Sequence, residues 1–431
     1  MDTVDLLIRN IGQLVTVAGC GPRRGTAASA LGIVEIGAVA AVDGRIVAAG
    51  RERDVLAECE PDANAVVINA CGRVVTPGFV DPHTHAVFAR TREDEFAMRV
   101  EGKSYEEVAA AGGGIRSSVR HVRAASEEQL FENGARTLDR MLEYGTTMAE
   151  VKSGYGLSLE AELKMLRVIA RLAEHHAVDV VPTFLGAHEF PDEWRDDRDG
   201  YVDHLIDEVI PLVADEGLAE FCDVFCEEDV FTVDQSRRLL LAAAERGLRP
   251  KLHADELHPF GGGELAGEIG AISADHLVCV SDAGIRAMAD AGVVAVMLPG
   301  TTLSLGKRDF APARKFIEAG VPVALATDCN PGSSMTESMQ IIVSLASMVM
   351  RLTPAEALVA ATANSAAALG REASVGSIEA GKLADLIVWE VDDYRAIPYH
   401  YGVNLTDIVI KRGAVVSGGR PGTEPTDGGS A

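Results

Sequence analysis

Two kinds of segment alternate through the middle of the chain, from about residue 74 to residue 370. Short runs rich in β-branched and other apolar residues predict strands, and each is followed by a run with the pattern of a helix. Eight strand candidates can be counted in this region. They are predicted to end near His85, Lys152, His188, Cys226, His253, His276, Pro299 and Asp328.

The helical runs carry start and stop signals. A Ser or Thr followed three residues later by Glu or Gln forms a capping box, which begins a helix. A glycine ends a helix because it adopts the left-handed conformation at low cost. Capping boxes occur at residues 126–129, 232–235 and 353–356, and the helices that they begin are predicted to end near Gly145, Gly247 and Gly370.

The alternation of strands and helices is typical of a parallel sheet. Eight strand–helix units, over roughly the 250 residues usual for the fold, predict a closed (β/α)8 TIM-like barrel. The alternative is an open, doubly wound sheet. It is less favoured because no Gly-x-Gly-x-x-Gly sequence follows the first strand.

The two ends of the chain carry strand patterns without helices. Asp43-Gly44 is a hairpin signal between two apolar runs, and similar runs lie at 65–69, 384–389 and 407–411. We therefore expect residues 1–73 and 373–416 to form one small β-sandwich module beside a barrel of residues 74–372. Residues 417–431 are mostly Gly, Pro, Thr and Ser, and we expect them to be disordered.

Composition narrows the class of protein. The chain has 431 residues, of which 47% are apolar and 24% charged, as in a folded globular protein. A net charge of −26 argues against nucleic acid as a partner, because binding it requires a basic surface. We expect no membrane span and no secretory signal, since apolar runs are short and the first residues are not basic. Seven scattered cysteines without a Cys-x-x-Cys pair suit a reducing compartment, so we expect a cytoplasmic protein.

Polar residues gather at the predicted strand ends, which in such a barrel open at one face and carry the active site. His83 and His85 follow the first strand two residues apart, so both imidazoles point to one side of extended backbone. His253 ends the fifth strand, and Asp328 places a charge at the end of the apolar eighth strand. Three imidazoles and one carboxylate suit Zn²⁺ or Fe²⁺ better than Mg²⁺ or Ca²⁺. The sequence therefore predicts a divalent metal site at the barrel mouth.

Each of these residues also has a structural explanation. A single histidine can be a hydrogen-bonded core residue, and Asp328 could cap the turn that follows it. Four candidate ligands at one face are harder to explain by coincidence. Glycines 112–114 and 261–263, which are expected at the same face, could form mobile loops or tight turns with positive φ.

The chain resembles the amidohydrolase superfamily of metal-dependent hydrolases. The matching motifs are Pro77-Gly-Phe-Val-Asp-Pro-His-Thr-His85, Lys251-Leu-His-Ala-Asp-Glu256, Asp275-His276 and Thr327-Asp328. Within the superfamily it resembles the imidazolonepropionase family, over residues 70–412. The longer stretches that carry this resemblance are Lys103-Ser-Tyr-Glu-Glu-Val-Ala-Ala-Ala-Gly-Gly-Gly-Ile115, Glu150-Val-Lys-Ser-Gly-Tyr-Gly-Leu157, Pro182-Thr-Phe-Leu-Gly-Ala-His188 and Asp328-Cys-Asn-Pro-Gly-Ser333. Cys329 departs from the family pattern, where a larger apolar residue is common.

The resemblance implies one divalent metal per chain, Zn²⁺ or Fe²⁺, held by His83, His85, His253 and Asp328. It includes no carboxylated-lysine bridge, so we expect Lys152 to be structural or to support the ligands. The positions that match substrate-binding residues are Arg92, Tyr105, Tyr155, His188, Glu256, Asn330, Gly332 and Ser333. The positions that match catalytic residues are Glu256, His276 and Asp328.

The implied reaction is hydrolysis of the cyclic amide of 4-imidazolone-5-propionate to N-formimidoyl-L-glutamate, in histidine degradation. Arg92 would pair with the carboxylate of this small anionic substrate, and its alternative is a surface arginine paired with Glu93 or Asp94. A cytosine- or guanine-type deaminase would share the metal ligands, whereas a non-catalytic barrel would be expected to have lost them. We expect a homodimer because it is the commonest closed assembly.

Overall fold

A computed structural model describes residues 1–103, 107 and 112–418 of the chain. Tyr105, one of the expected substrate-binding residues, lies outside the described residues. Among the helices of the described part, none is both long and apolar enough to cross a membrane.

The strands fall into two sheets of eight. The chain ends supply β1 (Asp2–Val15), β2 (Ile33–Val42), β3 (Arg45–Arg51), β4 (Cys59–Asn69), β5 (Val74–Pro77), β14 (Leu386–Trp389), β15 (Thr406–Lys411) and β16 (Ala414–Gly418). The middle supplies β6 (Phe79–Asp81), β7 (Thr146–Lys152), β8 (Asp179–Ala187), β9 (Phe221–Cys226), β10 (Arg249–Ala254), β11 (Ser273–His276), β12 (Val294–Met297) and β13 (Val323–Leu325).

The strands of the middle form a nearly closed parallel barrel, in the order β6 to β13, as predicted. Hydrogen bonds just beyond the strand ends join the first strand to the last. The N–H of Asp328 donates to the carbonyl of His83 at 3.1 Å, and the N–H of His85 donates to the carbonyl of Cys329 at 3.0 Å. Barrel closure therefore holds two candidate metal ligands, His83 and Asp328, side by side.

Most of the helices pack around the barrel, whereas the first one packs on strands of the terminal sheet. The described α-helices are α1 (Glu52–Glu58), α2 (Glu93–Val100), α3 (Ile115–Ala124), α4 (Glu127–Glu143), α5 (Leu159–His175), α6 (Arg198–His204), α7 (Ile210–Asp215), α8 (Val233–Glu245), α9 (Gly262–Ile269), α10 (Asp282–Ala291), α11 (Pro299–Ser304), α12 (Ala313–Glu318), α13 (Met339–Met348), α14 (Pro354–Val359), α15 (Ser365–Ala368) and α16 (Ala396–Tyr399). Shorter 3₁₀ segments lie at Gly25–Ser29 and Asp192–Trp194, and π-helical turns at Leu205–Val209 and Ala360–Asn364.

The predicted helix signals are confirmed. All three capping boxes form, at the starts of α4, α8 and α14, with the side chain of each box accepting a backbone N–H three residues on. Gly145, Gly247 and Gly370 take φ values of +94°, +88° and +63° just past the helical segments. The third segment differs from an ordinary helix because a π-helical turn at Ala360–Asn364 separates α14 from α15.

The second sheet joins the two chain ends, in the order β16-β15-β14-β5-β1-β2-β3, with β4 also paired to β1. Asp43 and Gly44 form the predicted hairpin turn between β2 and β3, both with positive φ. One apolar cluster contains side chains from both ends, including Leu6, Ile68 and Leu386. The sheet therefore closes into a β-sandwich whose core neither end could form alone.

We propose a division into the same two modules, with the first boundary moved from residue 74 to Gly78. The sequence assigns residues 74–77 to the barrel, whereas β5 pairs with β1 and β14 of the terminal sheet. The sequence also assigns Ser417 and Gly418 to a disordered tail, whereas both pair with β15 as part of β16. Residues 419–431 lie outside the described residues.

Candidate active site

Three histidines converge at the carboxyl ends of the barrel strands. His83 and His85 follow β6, and His253 lies in β10. Each offers a nitrogen, and these nitrogens all lie within 4.8 Å of one another in a buried position. Burial lowers the pKa of His83 and His85 well below the ordinary value, which favours the neutral imidazole that binds a cation. The Asp223 carboxylate raises the pKa of His253 against the effect of burial.

Asp328 completes the group. Its Oδ1 lies 3.6 Å from Nε2 of both His83 and His85. Its Oδ2 accepts a hydrogen bond of 2.5 Å from the hydroxyl of Thr301, in α11. Burial raises the pKa of Asp328 to about 7 in the absence of a cation. A carboxylate in this position is stabilised by a positive charge beside it.

The donor set fits a divalent metal. His83 Nε2 and His253 Nε2 are buried, and neither has a hydrogen-bond partner among residues 1–103, 107 and 112–418. Buried polar atoms are rarely left without a partner in folded proteins. Neutral imidazoles with one carboxylate are the ligands of Zn²⁺ and Fe²⁺ sites. The arrangement can therefore hold one such ion.

Two further aspartates contact the imidazoles from inside the barrel. Asp275 Oδ2 lies 2.6 Å from Nδ1 of His83. Asp223 Oδ2 lies 3.0 Å from Nδ1 of His253, and its Oδ1 accepts the backbone N–H of the same histidine at 3.1 Å. A carboxylate on one ring nitrogen directs the other nitrogen toward a metal.

Glu256 and His276 lie together at the same mouth. Glu256 Oε2 is 3.6 Å from Nδ1 of His276, and the His276 ring centroid is 5.2 Å from that of His253. Burial raises the pKa of Glu256 and lowers that of His276 well below its usual value. A carboxyl group and a neutral imidazole in contact can move a proton between them.

Tyr155 and His188 pack against His85, one of the candidate metal ligands. The His188 ring stacks on His85 with centroids 5.0 Å apart, and the Tyr155 ring lies 5.6 Å from His85. His188 Nδ1 donates to the carbonyl of Gly154 at 3.0 Å, and burial lowers the pKa of His188 to about 3. Both side chains therefore lie beside a candidate metal ligand.

The loop that carries Tyr155 is held by a buried carboxylate on α5. Glu162 accepts backbone N–H groups from Gly154 at 3.0 Å, Gly156 at 2.7 Å and Leu157 at 2.9 Å. The helix thus fixes the path of the loop through charge-assisted hydrogen bonds.

Arg92 is not the surface residue of the alternative interpretation. Its guanidinium is mostly buried and forms two hydrogen bonds to Glu95, from Nε to Oε1 at 2.8 Å and from Nη2 to Oε2 at 2.6 Å. Glu95 also accepts the N–H of Gly114 at 3.1 Å.

The glycines at the barrel mouth form tight turns. The φ angles of Gly112, Gly114 and Gly261 are +86°, +81° and +98°. These values lie in the left-handed region that favours glycine.

Asn330, Gly332 and Ser333 form the turn after Asp328. The Asn330 side chain accepts the N–H groups of Gly332 and Ser333, each at 2.8 Å, and donates to the Asp328 carbonyl at 2.7 Å. Asn330 therefore caps this turn. Cys329 is fully buried in the main apolar cluster, and its backbone takes part in barrel closure.

A cavity of about 350 Å³ opens beside this turn. Its lining residues include Arg92, Arg99, Phe96, Gly332, Ser334 and Met335. Arg99 Nη1 also donates to the carbonyl of Gly332 at 2.7 Å. The cavity combines apolar walls with two arginines and one carboxylate, that of Glu93. The positive charges outnumber the negative one, which suits a small anionic molecule.

Sequence reasoning missed several residues that support the site. Asp275 adjoins His276 within a recognised motif, and Asp223 interrupts the apolar run of β9, so both carried a signal. Thr301 lies in a stretch whose pattern indicates nothing about Asp328. Glu95 and Glu162 have the ordinary appearance of helix-surface acids in the sequence.

Comparison with known sequences gives consistent results. Residues 74–416 match the model of the amidohydrolase family. A protein named imidazolonepropionase from Geobacillus kaustophilus (strain HTA426) is 54% identical over 414 residues, covering 95% of this chain and 97% of that protein. Proteins of the same name from Symbiobacterium thermophilum and Bacillus velezensis are 52% and 48% identical, each covering 96% of this chain and 98% and 97% of their own lengths.

Comparison with solved structures shows the fold alone. An adenosine deaminase from Xanthomonas campestris with bound zinc has a TM-score of 0.70 at 21% identity, covering 96% of this chain and 93% of that one. Guanine deaminase of E. coli has a TM-score of 0.72 at 16% identity, covering 96% and 99%. The likeness to deaminases is much weaker in sequence, so the deaminase alternative is not favoured. The chain belongs to the imidazolonepropionase family within the amidohydrolases.

Proposed function

We propose that the chain hydrolyses the cyclic amide of 4-imidazolone-5-propionate to N-formimidoyl-L-glutamate, a step of histidine degradation. The single observation that carries the proposal is the buried group of His83, His85, His253 and Asp328, which suits one divalent metal. The names of relatives about 50% identical over nearly the whole chain support the choice of substrate.

The metal would be Zn²⁺ or Fe²⁺, held by three imidazoles and one carboxylate. When bound, an ion of this kind lowers the pKa of a water toward about 7 and polarises a carbonyl group. The remaining steps fall to side chains of the chain itself.

Asp328 and His276 would orient the attacking water and accept its proton. Thr301 occupies one oxygen of Asp328, which leaves Oδ1 on the side of the histidines. Glu256 would contact the ring nitrogens of the substrate and pass a proton to the nitrogen that leaves. General acid–base assistance of this kind typically contributes about 10²–10⁴-fold to the rate.

Arg92 would bind the propionate carboxylate. Glu95 uses Nε and one hydrogen of Nη2. Among the described residues, Nη1 and the second hydrogen of Nη2 therefore stay available as a paired donor edge. Nη1 lies against Gly332, beside the cavity. Tyr155, His188, Asn330 and Ser333 would complete the pocket, as would Tyr105.

The test follows loss of the ultraviolet absorbance of freshly prepared imidazolonepropionate, with metal content measured on the same sample. We expect about one metal per chain, as a single ligand set implies, and loss of both metal and activity in Asp328→Ala. Asp54→Ala, on α1 of the terminal module, is the control and should change neither. A metal-loaded protein that leaves this substrate intact but releases ammonia from cytosine or guanine would contradict the proposal.

We further propose a cytoplasmic homodimer. The proposal rests on the scattered, unpaired cysteines and on the frequency of closed two-fold assemblies. Sedimentation of the purified chain gives the mass of the assembly, and a monomeric mass would contradict the dimer.

A further inference from the structure

We propose that Lys152 is a positioning residue for the metal, and that it acts through Asp223 and Asp275 on two of the ligands. The inference rests on the metal site described under the proposed function. Lys152 ends β7 and is fully buried. A lysine at a strand end could have either of two roles: it could bind a second metal, or it could support the ligands of the first.

One ammonium group contacts the same oxygens that face the imidazoles. Lys152 Nζ lies 2.8 Å from Asp223 Oδ2 and 3.5 Å from Asp275 Oδ2. Asp223 Oδ2 is the atom 3.0 Å from His253 Nδ1, and Asp275 Oδ2 is the atom 2.6 Å from His83 Nδ1. Lys152 is therefore the common centre of two carboxylate–imidazole pairs.

The two pairs differ in strength. Asp275 and His83 form a short hydrogen bond, which places the ring hydrogen on Nδ1 and leaves Nε2 as the electron-pair donor. His253 Nδ1 lies close to Asp223, but the angle between the two groups is unfavourable for a hydrogen bond. Asp223 instead accepts a hydrogen bond from the backbone N–H of His253. The Asp275 pair should therefore contribute more to metal affinity than the Asp223 pair.

The surroundings of Lys152 argue against a second metal. Glu150 Oε1 lies 3.0 Å from Nζ, so three fully buried carboxylates surround this group. Carboxylation of the amine would replace the ammonium with negative oxygens among them, and burying unpaired like charges is costly. The ammonium form instead contacts both aspartate oxygens that face the histidines.

Lys251 provides a matched control. It is equally buried, lies in β10, and also binds Glu150, with Nζ 2.7 Å from Oε2. Its other contact is the carbonyl of Pro82 at 3.2 Å. It forms no direct ion pair with Asp223 or Asp275 among the described residues. Its loss therefore removes a buried charge but leaves the direct contacts of Lys152 with both aspartates in place.

The experiment compares zinc affinities of the full chain and its variants, by competition with a chromophoric chelator. We expect Lys152→Met to weaken zinc binding by about 10- to 100-fold, as loss of outer supports of a metal site typically does. Lys251→Met should weaken zinc binding by less than about threefold. That is well below a tenfold change in affinity, which corresponds to roughly 1.4 kcal/mol. Equal zinc affinities of the two variants would overturn the proposal, as would a wild-type chain that binds no zinc.

Further variants keep the test decisive if Lys152→Met fails to fold. Asp275→Asn should weaken zinc binding more than Asp223→Asn, and both more than Lys251→Met. Asp275→Asn combined with Lys152→Met should cost less than the sum of the two single effects, because the residues act as one unit. Zinc affinities of both aspartate variants equal to that of Lys251→Met would contradict the inference. The proposed substrate is tested separately, since wild-type zinc binding without hydrolysis affects only that proposal.

Discussion

Glu95 binds Arg92 through both carboxylate oxygens, at 2.8 Å to Nε and 2.6 Å to Nη2. The pair lies at the start of α2, and the same carboxylate accepts the N–H of Gly114. Glu95 thus fixes the Nε–Nη2 edge of the arginine that is proposed to bind the substrate. The same carboxylate also holds the turn at Gly114.

Replacing Arg92 tests this arrangement. Arg92→Lys loses the planar pair of donors, so we expect KM for imidazolonepropionate to rise by roughly 10- to 100-fold, for about 1.5–3 kcal/mol of lost binding. The value of kcat should change little, because the group binds substrate and transition state alike. Steady-state kinetics measure both. Arg90→Lys, at an exposed arginine 3.5 Å from Asp94, is the control. A fall in kcat without a change in KM would contradict the assigned role.

Gly332 is predicted to tolerate no side chain. A Cβ at this position would lie 2.4 Å from Nη1 of Arg92 and 3.3 Å from Oδ1 of Asn330. Since Glu95 holds the arginine, Gly332→Ala should displace its donor edge and raise KM by roughly tenfold, or about 1.4 kcal/mol. Gly50→Ala is the control, because an added Cβ there meets no atom within 4 Å. Unchanged kinetics in Gly332→Ala would show that the guanidinium can move without loss.

Glu162 should matter for both stability and activity. Glu162→Gln places an amide NH₂ against N–H groups of the loop at residues 154–157, and leaves buried donors unpaired at a cost of about 1–3 kcal/mol. We expect a lower thermal midpoint and a lower kcat/KM, because the loop carries Tyr155. Glu160→Gln, on the exposed side of the same helix turn, is the control. A thermal midpoint equal to that of the control would contradict this prediction.

Glu356 gives a prediction about pH. Hydrogen bonds from Arg314 lower the pKa of Glu356 to about 2, against burial that opposes the shift. A folded-state pKa below the unfolded value means that this stabilisation is complete above about pH 4.5 and is lost as the pH falls toward 2. Glu356→Gln should therefore destabilise the chain by about 1–2 kcal/mol near pH 7.

Thermal unfolding of wild type and variant at two pH values checks the sign. The difference in midpoint should be smaller at about pH 3.5 than near pH 7, because the wild-type advantage decreases as Glu356 gains a proton. Glu245→Gln, at the exposed end of α8, should show no such dependence. A difference that grows toward low pH would contradict the assignment.

The sequence by itself determined the barrel and the ligand candidates. Strand and helix patterns are local, and capping boxes and terminal glycines act within a few residues, so eight strands and three helix starts could be predicted. The rule that such barrels carry their sites at the carboxyl ends of strands then brought His83, His253 and Asp328 to one mouth.

Only the tertiary structure decided which side chains support them. His253 is in register with Asp275 of the adjacent strand β11. Yet the Asp275 carboxylate binds His83, which follows β6, five strands earlier in the chain. Asp223 reaches His253 from β9 instead. The choice depends on how side chains fill the closed barrel interior, which no local pattern records. The same holds for Thr301 beside Asp328. Thr301 follows β12 and Asp328 follows the neighbouring strand β13, so the pairing of these strands brings the two side chains together.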